Sequence, residues 1–300
     1  SSEELAALKR NMQYKYQIFT TPGQSILADY FQNDWYTDCK AKIVPKFWTR
    51  YKNYLIDEKH FSPNVVSTLG EDTLDQKLMN YILDPKEHYT TPVLKRGLII
   101  GDVQSGKTST YIGFLCKAAD AGYKVFILLT GTTESLRKQT QERVEEGFIG
   151  IDMSAESKDG RRVGVGLDNQ EIWAISMTSR VSDFVGDNDK TVISLASVKD
   201  AIVFVIKKNA NTLQKLTKWL VELNADKLTK KINMPMLMID DEADNASINT
   251  SASKEDPTRI NKLIRELASV FTVSNYVGFT ATPFANVFID PETTEKMETQ

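Results

Sequence analysis

The chain has 300 residues, 41% of them hydrophobic, and a net charge of −3. That length and apolar fraction suit one large or two moderate domains with a buried core. No apolar run is long enough to span a bilayer, so no membrane partner is expected, and the near-neutral charge gives no global electrostatic case for nucleic acid, so any such binding has to use a local basic surface. With no signal-peptide pattern, and with Cys39 and Cys116 far apart in sequence, the chain reads as cytoplasmic with reduced, structural thiols. His60 and His88 stand in no metal-ligand spacing with cysteine. The chain starts at Ser1 and not at Met, which reads as a processed or engineered piece.

Residues 1–92 read as a helical region. Good helix formers follow Ser1-Ser-Glu-Glu. A second helical stretch runs from about Trp35 to Lys59, interrupted by Pro45. Ser62-Pro63 is a cap followed by proline at the first helical position. Leu74, Leu78, Tyr81 and Ile82 repeat at helical spacing until Asp84-Pro85 stops them. The region is rich in aromatics: Tyr14, Tyr16, Tyr30, Trp35, Tyr36, Trp48, Tyr51 and Tyr54. These could stack on bases or a partner, but helix-packing core is the heavier reading.

From Pro92 onward short β-rich runs alternate with helical patterns, and residues 93–300 read as a second region. Strands are expected at Leu98–Ile100, Lys124–Leu129, Ile172–Met177, Ala201–Ile206, Met236–Ile239 and Tyr276–Phe279. Periodic helices are expected through Leu213, Leu216, Leu220 and Leu223, and after Asp256-Pro257 through Phe271. Strands alternating with helices imply an α/β fold with a mostly parallel, doubly wound sheet. Ligands on such sheets sit beyond the carboxyl ends of the strands. Ser154–Asn169, with its glycines, reads as an exposed loop or insertion.

Three strand ends carry chemistry. Leu98–Ile100 enters Gly101, Asp102, Val103, Gln104, Ser105, Gly106, Lys107 and Thr108, of form G-x-x-x-x-G-K-[ST]; Ser109 joins the candidate phosphate-binding residues, and Tyr111 to Ala119 reads as a packed helix. Glycines let backbone N–H groups converge on phosphate oxygens, and the helix start adds positive potential. Lys107 would reach the β- and γ-phosphates, and the Thr108 hydroxyl would hold Mg²⁺. The apolar run from Met236 ends in Asp240, Asp241, Glu242, Ala243 and Asp244. Asp241 is assigned to the metal and Glu242 to the attacking water; Asp240 competes for the metal, and strand register decides between them. Thr280 and Thr282, in Gly278-Phe-Thr-Ala-Thr-Pro283, are placed to couple the acidic cluster, with Asp244, to the γ-phosphate. Nucleic-acid candidates are Thr132, Thr133, Arg137 and Lys138 after one strand, and Lys207 and Lys208 after another. Ordinary solvated surface is nearly as good a reading for each. Glu156-Ser-Lys158 with Asp152 is a poor metal-nuclease candidate. Asp183-Phe-Val-Gly186 imitates a GTPase motif, but the chain lacks the guanine-reading string.

Taken together, Gly101–Thr108, Asp241-Glu-Ala-Asp244 and Thr280-Ala-Thr282 resemble motifs I, II and III of superfamily-two helicases and translocases. Leu129-Thr-Gly-Thr-Thr-Glu-Ser-Leu-Arg-Lys-Gln139 is similar to their motif Ia. The wording resembles more closely the Z-one domain, a family of bacterial ATPases labelled putative endonucleases, over about residues 93 to 290. The resemblance implies a RecA-like lobe, ATP and Mg²⁺ as cofactors, and DNA as a partner. It also implies an antiviral-defence setting with an Hsp90/MutL-like ATPase, a nuclease or a methylase. Such motors use a second lobe for arginine fingers. The chain stops shortly after Pro283, so the expectation is nucleotide binding with slow hydrolysis. The alternative to a motor is a nucleotide-gated interaction module that does not move DNA.

Overall fold

The computed structural model describes residues 34–100, 106–152, 154, 160–168, 171, 173–185, 194–243 and 257–280. The helical region begins with α1 (Trp35–Cys39), α2 (Lys46–Asp57) and α3 (Pro63–Thr68), the last continuing in π-type turns over Leu69–Met79. Pro45 separates the first two helices. Ser62 caps α3, its hydroxyl accepting from the Val65 N–H at 3.4 Å, with Pro63 in the first turn. The helix stops at Met79, short of the expected Asp84. Tertiary hydrogen bonds hold the next residues out of it. The Asn80 side chain accepts from the Tyr36 and Thr37 N–H groups, and the Trp35 indole donates to the Ile82 carbonyl at 2.7 Å.

A six-stranded sheet follows, in the order β1-β8-β7-β2-β6-β5. Its strands are β1 (Val93–Ile100), β2 (Val125–Thr130), β5 (Ala174–Ser176), β6 (Ala201–Lys207), β7 (Ile232–Asp241) and β8 (Phe271–Thr280). Every neighbouring pair is parallel. All six expected strands exist. β1, β7 and β8 begin several residues earlier than their apolar runs suggested. β5 is shorter than expected.

Side chains alternate across the sheet, so each strand feeds two cores. Phe126, Leu128, Val203, Val205, Leu237, Ile239, Val277 and Phe279 face α4 (Lys107–Ala121), α2 and the end of α5 (Glu134–Val144). Val125, Ile127, Leu129, Ile202, Phe204, Ile206, Met236 and Met238 face α6 (Ala210–Asn224) and α7 (Pro257–Ser269). Each fully buried Leu, Ile, Val or Phe contributes roughly 1.5–3 kcal/mol. The result is a three-layer, doubly wound α/β lobe.

The N-terminal helices share the first of these cores. Trp35, Tyr36, Tyr51 and Tyr54 are buried, and Trp48 packs beside them, which settles these aromatics as packing. Gly113 on α4 lets them close in: a Cβ there would stand 2.8 Å from Leu74 Cδ1 and 3.2 Å from Trp48 Cζ3. Asp120, on the same helix, accepts from the Phe47 and Trp48 N–H groups at 2.9 Å each and so caps α2 from outside. Tyr14, Tyr16 and Tyr30 lie outside the described residues.

The segment read as an exposed insertion is in part anchored. β4 (Arg161–Arg162) pairs antiparallel with β3 (Ile151–Asp152). Gly164 and Gly166 then meet other backbone so closely that a Cβ would fall 2.1 Å from the Glu146 oxygen and 2.0 Å from the Gly150 oxygen. The glycines serve close approach there, not looseness. Glu156, Ser157 and Lys158 lie outside the described residues, while Asp152 bonds Ser154 and Arg161. No helix among the described residues is long and apolar enough to cross a membrane.

Burial pushes the Asp120 carboxyl up to about 6, against the hydrogen bonds it accepts. The folded state therefore binds this proton more tightly than the unfolded chain, and stability falls as pH rises from about 4 to 6. Asp120→Asn should remove that step. Relative to wild type, the variant should gain up to about 3 kcal/mol between pH 4 and pH 7 in isothermal chemical denaturation.

Candidate functional site: the carboxyl edge of the sheet

Register brings the three motif-bearing strand ends level. Ile100 at the end of β1 pairs with Thr280 at the end of β8, and Asp241 at the end of β7 pairs with Phe279. The end of β1 is therefore level with the acidic turn, one strand away across β8. Gly101, Asp102, Val103, Gln104 and Ser105 lie outside the described residues, as do Asp244 and Thr282. Gly106 has φ 73°, a left-handed conformation that glycine adopts without strain, immediately before Lys107 opens α4. Lys107, Thr108 and Ser109 are half-buried in the first turn of that helix. One turn on, Tyr111 is buried with its ring against Phe279, centroids 6.0 Å apart. Burial, and then the charge of Asp241, push the Tyr111 phenol up to about 12. The start of α4 and the acidic turn thus border the same space.

Pleat parity separates the two neighbouring acids. Asp240 continues the face of Met236 and Met238, and Asp241 continues the face of Leu237 and Ile239, toward α4. Asp240 is fully buried and committed. It accepts from Lys208 Nζ at 2.7 Å and from the Tyr276 hydroxyl at 2.7 Å. Asp241 is half-buried, and its carboxyl is pushed up by desolvation and then by the Glu242 charge. Asp241 is therefore the carboxylate that faces the phosphate-loop helix.

Glu242 has φ 64°, a left-handed backbone that a side chain disfavours. Lys208 holds it there, donating to the carbonyls of Glu242 at 2.6 Å and Asp241 at 3.2 Å as well as to Asp240. Lys208 follows β6, and β2 lies between β6 and β7, so the lysine reaches over the end of β2. At that end stands Gly131. A Cβ on it would lie 3.0 Å from the Glu242 carboxylate and 2.5 Å from Leu136 Cδ1. The glycine of the motif-Ia-like turn makes room for the acid of the motif-II-like turn.

Two nucleic-acid candidates are overturned. Arg137 is fully buried, donating to Glu134 and to the Ser179 and Arg180 carbonyls. Lys208 is the buried clamp just described. Neither can meet a phosphate backbone, because each charge is already neutralised inside the protein. Lys207 is paired with Glu134 at 2.9 Å and lies 3.9 Å from Asp183. Thr133 caps α5, accepting from the Leu136 N–H at 3.4 Å, while Thr132 is exposed. Asp183-Phe184 is structural: Phe184 packs on Phe204 and Trp219. Thr280 is buried at the end of β8, level with the glycine loop.

Sequence reasoning missed three parts of the edge: the Lys208 clamp, the Tyr276 support of Asp240, and Arg143. Arg143, in the last turn of α5, donates to the Thr108 hydroxyl at 3.2 Å. A lysine directly after an apolar strand was the one available signal for the clamp, and it pointed as well to solvent.

Magnesium carried on a nucleotide needs only one or two protein oxygens, the rest coming from phosphates and water. The Thr108 hydroxyl, in the first turn of α4, and the Asp241 carboxylate, at the end of β7, are donors of that kind. Among the described residues no cluster of three His, Cys, Asp or Glu side chains forms a dedicated metal cage.

A six-stranded parallel sheet covered by helices on both faces, with Ile100, Asp241 and Thr280 level at its carboxyl edge, defines a RecA-like α/β lobe. No family model matches the chain, and no curated protein does. Among solved structures it is similar to a variant of S. cerevisiae Dbp5 bound to RNA and ADP BeF3. The identity is 16%, the TM-score 0.35, and the match covers 81% of this chain and 49% of that one. The chain spans about half the length of that structure.

The clamp can be tested apart from any activity. Lys208→Met leaves Asp240 buried beside a lost charge and should cost about 3–5 kcal/mol. The double variant Lys208→Met/Asp240→Asn should recover a substantial part of it. A double-mutant cycle by chemical denaturation measures the difference, and simple additivity would refute the pairing.

Proposed function

We propose that residues 93–300 form an ATP-binding and hydrolysing motor lobe of the helicase and translocase type, carrying the N-terminal helices as an integral layer. The observation that supports it best is the level alignment of Ile100, Asp241 and Thr280 at one sheet edge. Lys107 and the glycine-loop N–H groups bind the phosphates, Thr108 and Asp241 hold the metal, and Glu242 orients the attacking water. Bound Mg²⁺ supplies charge neutralisation of the phosphates. Glu242 suits its task because its backbone is fixed through Lys208, so its carboxylate loses little freedom on positioning. Thr280, Thr282 and Asp244 couple the nucleotide state to motion. The resemblance to the Z-one domain supports DNA as the substrate and an antiviral-defence setting, with an Hsp90/MutL-like ATPase, nuclease or methylase as protein partners.

A second reading is a nucleotide-gated interaction module, and one observation favours it. Arg137, Lys207 and Lys208 are all engaged with acidic or carbonyl groups of the chain itself, which removes most of the expected phosphate-binding charge. DNA-stimulated hydrolysis separates the two.

Lys107→Ala should weaken ATP binding by tenfold or more. Glu242→Gln should leave binding intact and lower turnover by about 10²- to 10³-fold. Titration calorimetry and phosphate release with and without DNA read both effects. Equal binding by wild type and Lys107→Ala would refute the nucleotide site, and hydrolysis indifferent to DNA would favour the interaction module.

A further inference from the structure

Arg143 stands where a metal-dependent nucleotide site has no obvious need for it. Its guanidinium donates to Thr108 Oγ1 at 3.2 Å. Thr108 is the hydroxyl through which a phosphate loop holds its cation. Arg143 therefore occupies one of the two oxygens that would hold the metal. The Tyr111 side chain is fully buried one turn further along α4.

The chemistry makes two occupants exclusive. An oxygen lone pair that accepts from a guanidinium is not available to a divalent cation, and a guanidinium close to that cation is repelled by it. The arginine has somewhere to go, since its side chain is exposed on the last turn of α5 and its long stem is flexible. When no metal is present, a fixed positive charge at this position lowers the cost of bringing phosphate beside Asp241 and Glu242.

Resting on the nucleotide-site reading above, we propose that Arg143 is a built-in substitute for the divalent cation. It holds the Thr108 hydroxyl until a metal displaces it, and it sustains nucleotide binding without metal. It is a positioning residue by this assignment, not one that acts on the reacting phosphorus. Removing it should make nucleotide binding more dependent on metal and should make the metal bind more easily.

The test is calorimetric titration of the full chain with ADP, either in excess Mg²⁺ or in EDTA, for wild type, Arg143→Gln and Arg143→Lys. Wild type should retain measurable ADP binding in EDTA. Arg143→Gln should lose about tenfold in EDTA yet bind ADP at least as tightly as wild type in saturating Mg²⁺, with a several-fold lower Mg²⁺ requirement. Arg143→Lys, which keeps the charge, should restore much of the EDTA binding. Arg143 is exposed, so unfolding temperatures without nucleotide should match. Equal losses with and without Mg²⁺, or no loss in either, would overturn the substitution. Failure of wild type to bind ADP under both conditions would instead remove the nucleotide site, and this inference with it.

Discussion

The buried pair between Lys208 and Asp240 is the constraint on which the acidic turn depends. Two charges taken from water are expensive, and they persist inside a protein only when every polar atom finds a partner. Here the lysine has three: the Asp240 carboxylate and the carbonyls of Asp241 and Glu242. Asp240 has its second in the Tyr276 hydroxyl. The pair therefore does more than neutralise itself. It ties the end of β6 to the end of β7 across β2, and it holds Glu242 in a left-handed backbone that its side chain would otherwise avoid. An acid whose direction is fixed this way reaches the site without being ordered by the ligand.

Much of this edge was legible in the sequence. Apolar β-branched runs located all six strands, because a parallel sheet covered on both faces needs continuous hydrophobic segments. Punctuation was legible too: Pro45, the Ser62 cap and the chemistry-bearing corners after three strands. Pleat parity then sorted Asp240 from Asp241, which a linear string cannot do without knowing where the strand ends and which face is which. The charged residues were misjudged for a physical reason. Arg137 and Lys208 look like surface cations because most are. Their burial depends on carbonyls and carboxylates distant in sequence, such as Ser179 for Arg137 and Asp240 for Lys208. Tertiary partners of that kind leave no periodic trace.

The helical region shows the same limit in a milder form. Its aromatics read as packing or as a stacking surface, and composition alone could not divide the two. What divides them is the shape of α4. Gly113 gives Trp48, Tyr51 and Leu74 room to approach, Lys117 lies 4.6 Å from the Trp48 ring, and Asp120 caps α2. A helix that starts at the phosphate loop thus carries the N-terminal helices on its far turns. That helix is one continuous element from Lys107 to the helical layer packed on it.

The distribution of charge limits how such a lobe could meet nucleic acid. Binding to a phosphate backbone is driven largely by cations that release counterions, and each must be free to make the contact. At this edge Lys207 is shared with Glu134 and Asp183, Arg137 is enclosed, Lys208 clamps the acidic turn, and Arg143 lies on Thr108. A strand lying across the edge would find exposed Thr132 and the N–H groups that open α5, with exposed Lys138 further along that helix. Contacts of that type fix position more than they supply affinity. Tight association would therefore depend on a second surface, and the nucleotide state could gate it: displacing Arg143 from Thr108 sets one more cation free on the exposed end of α5.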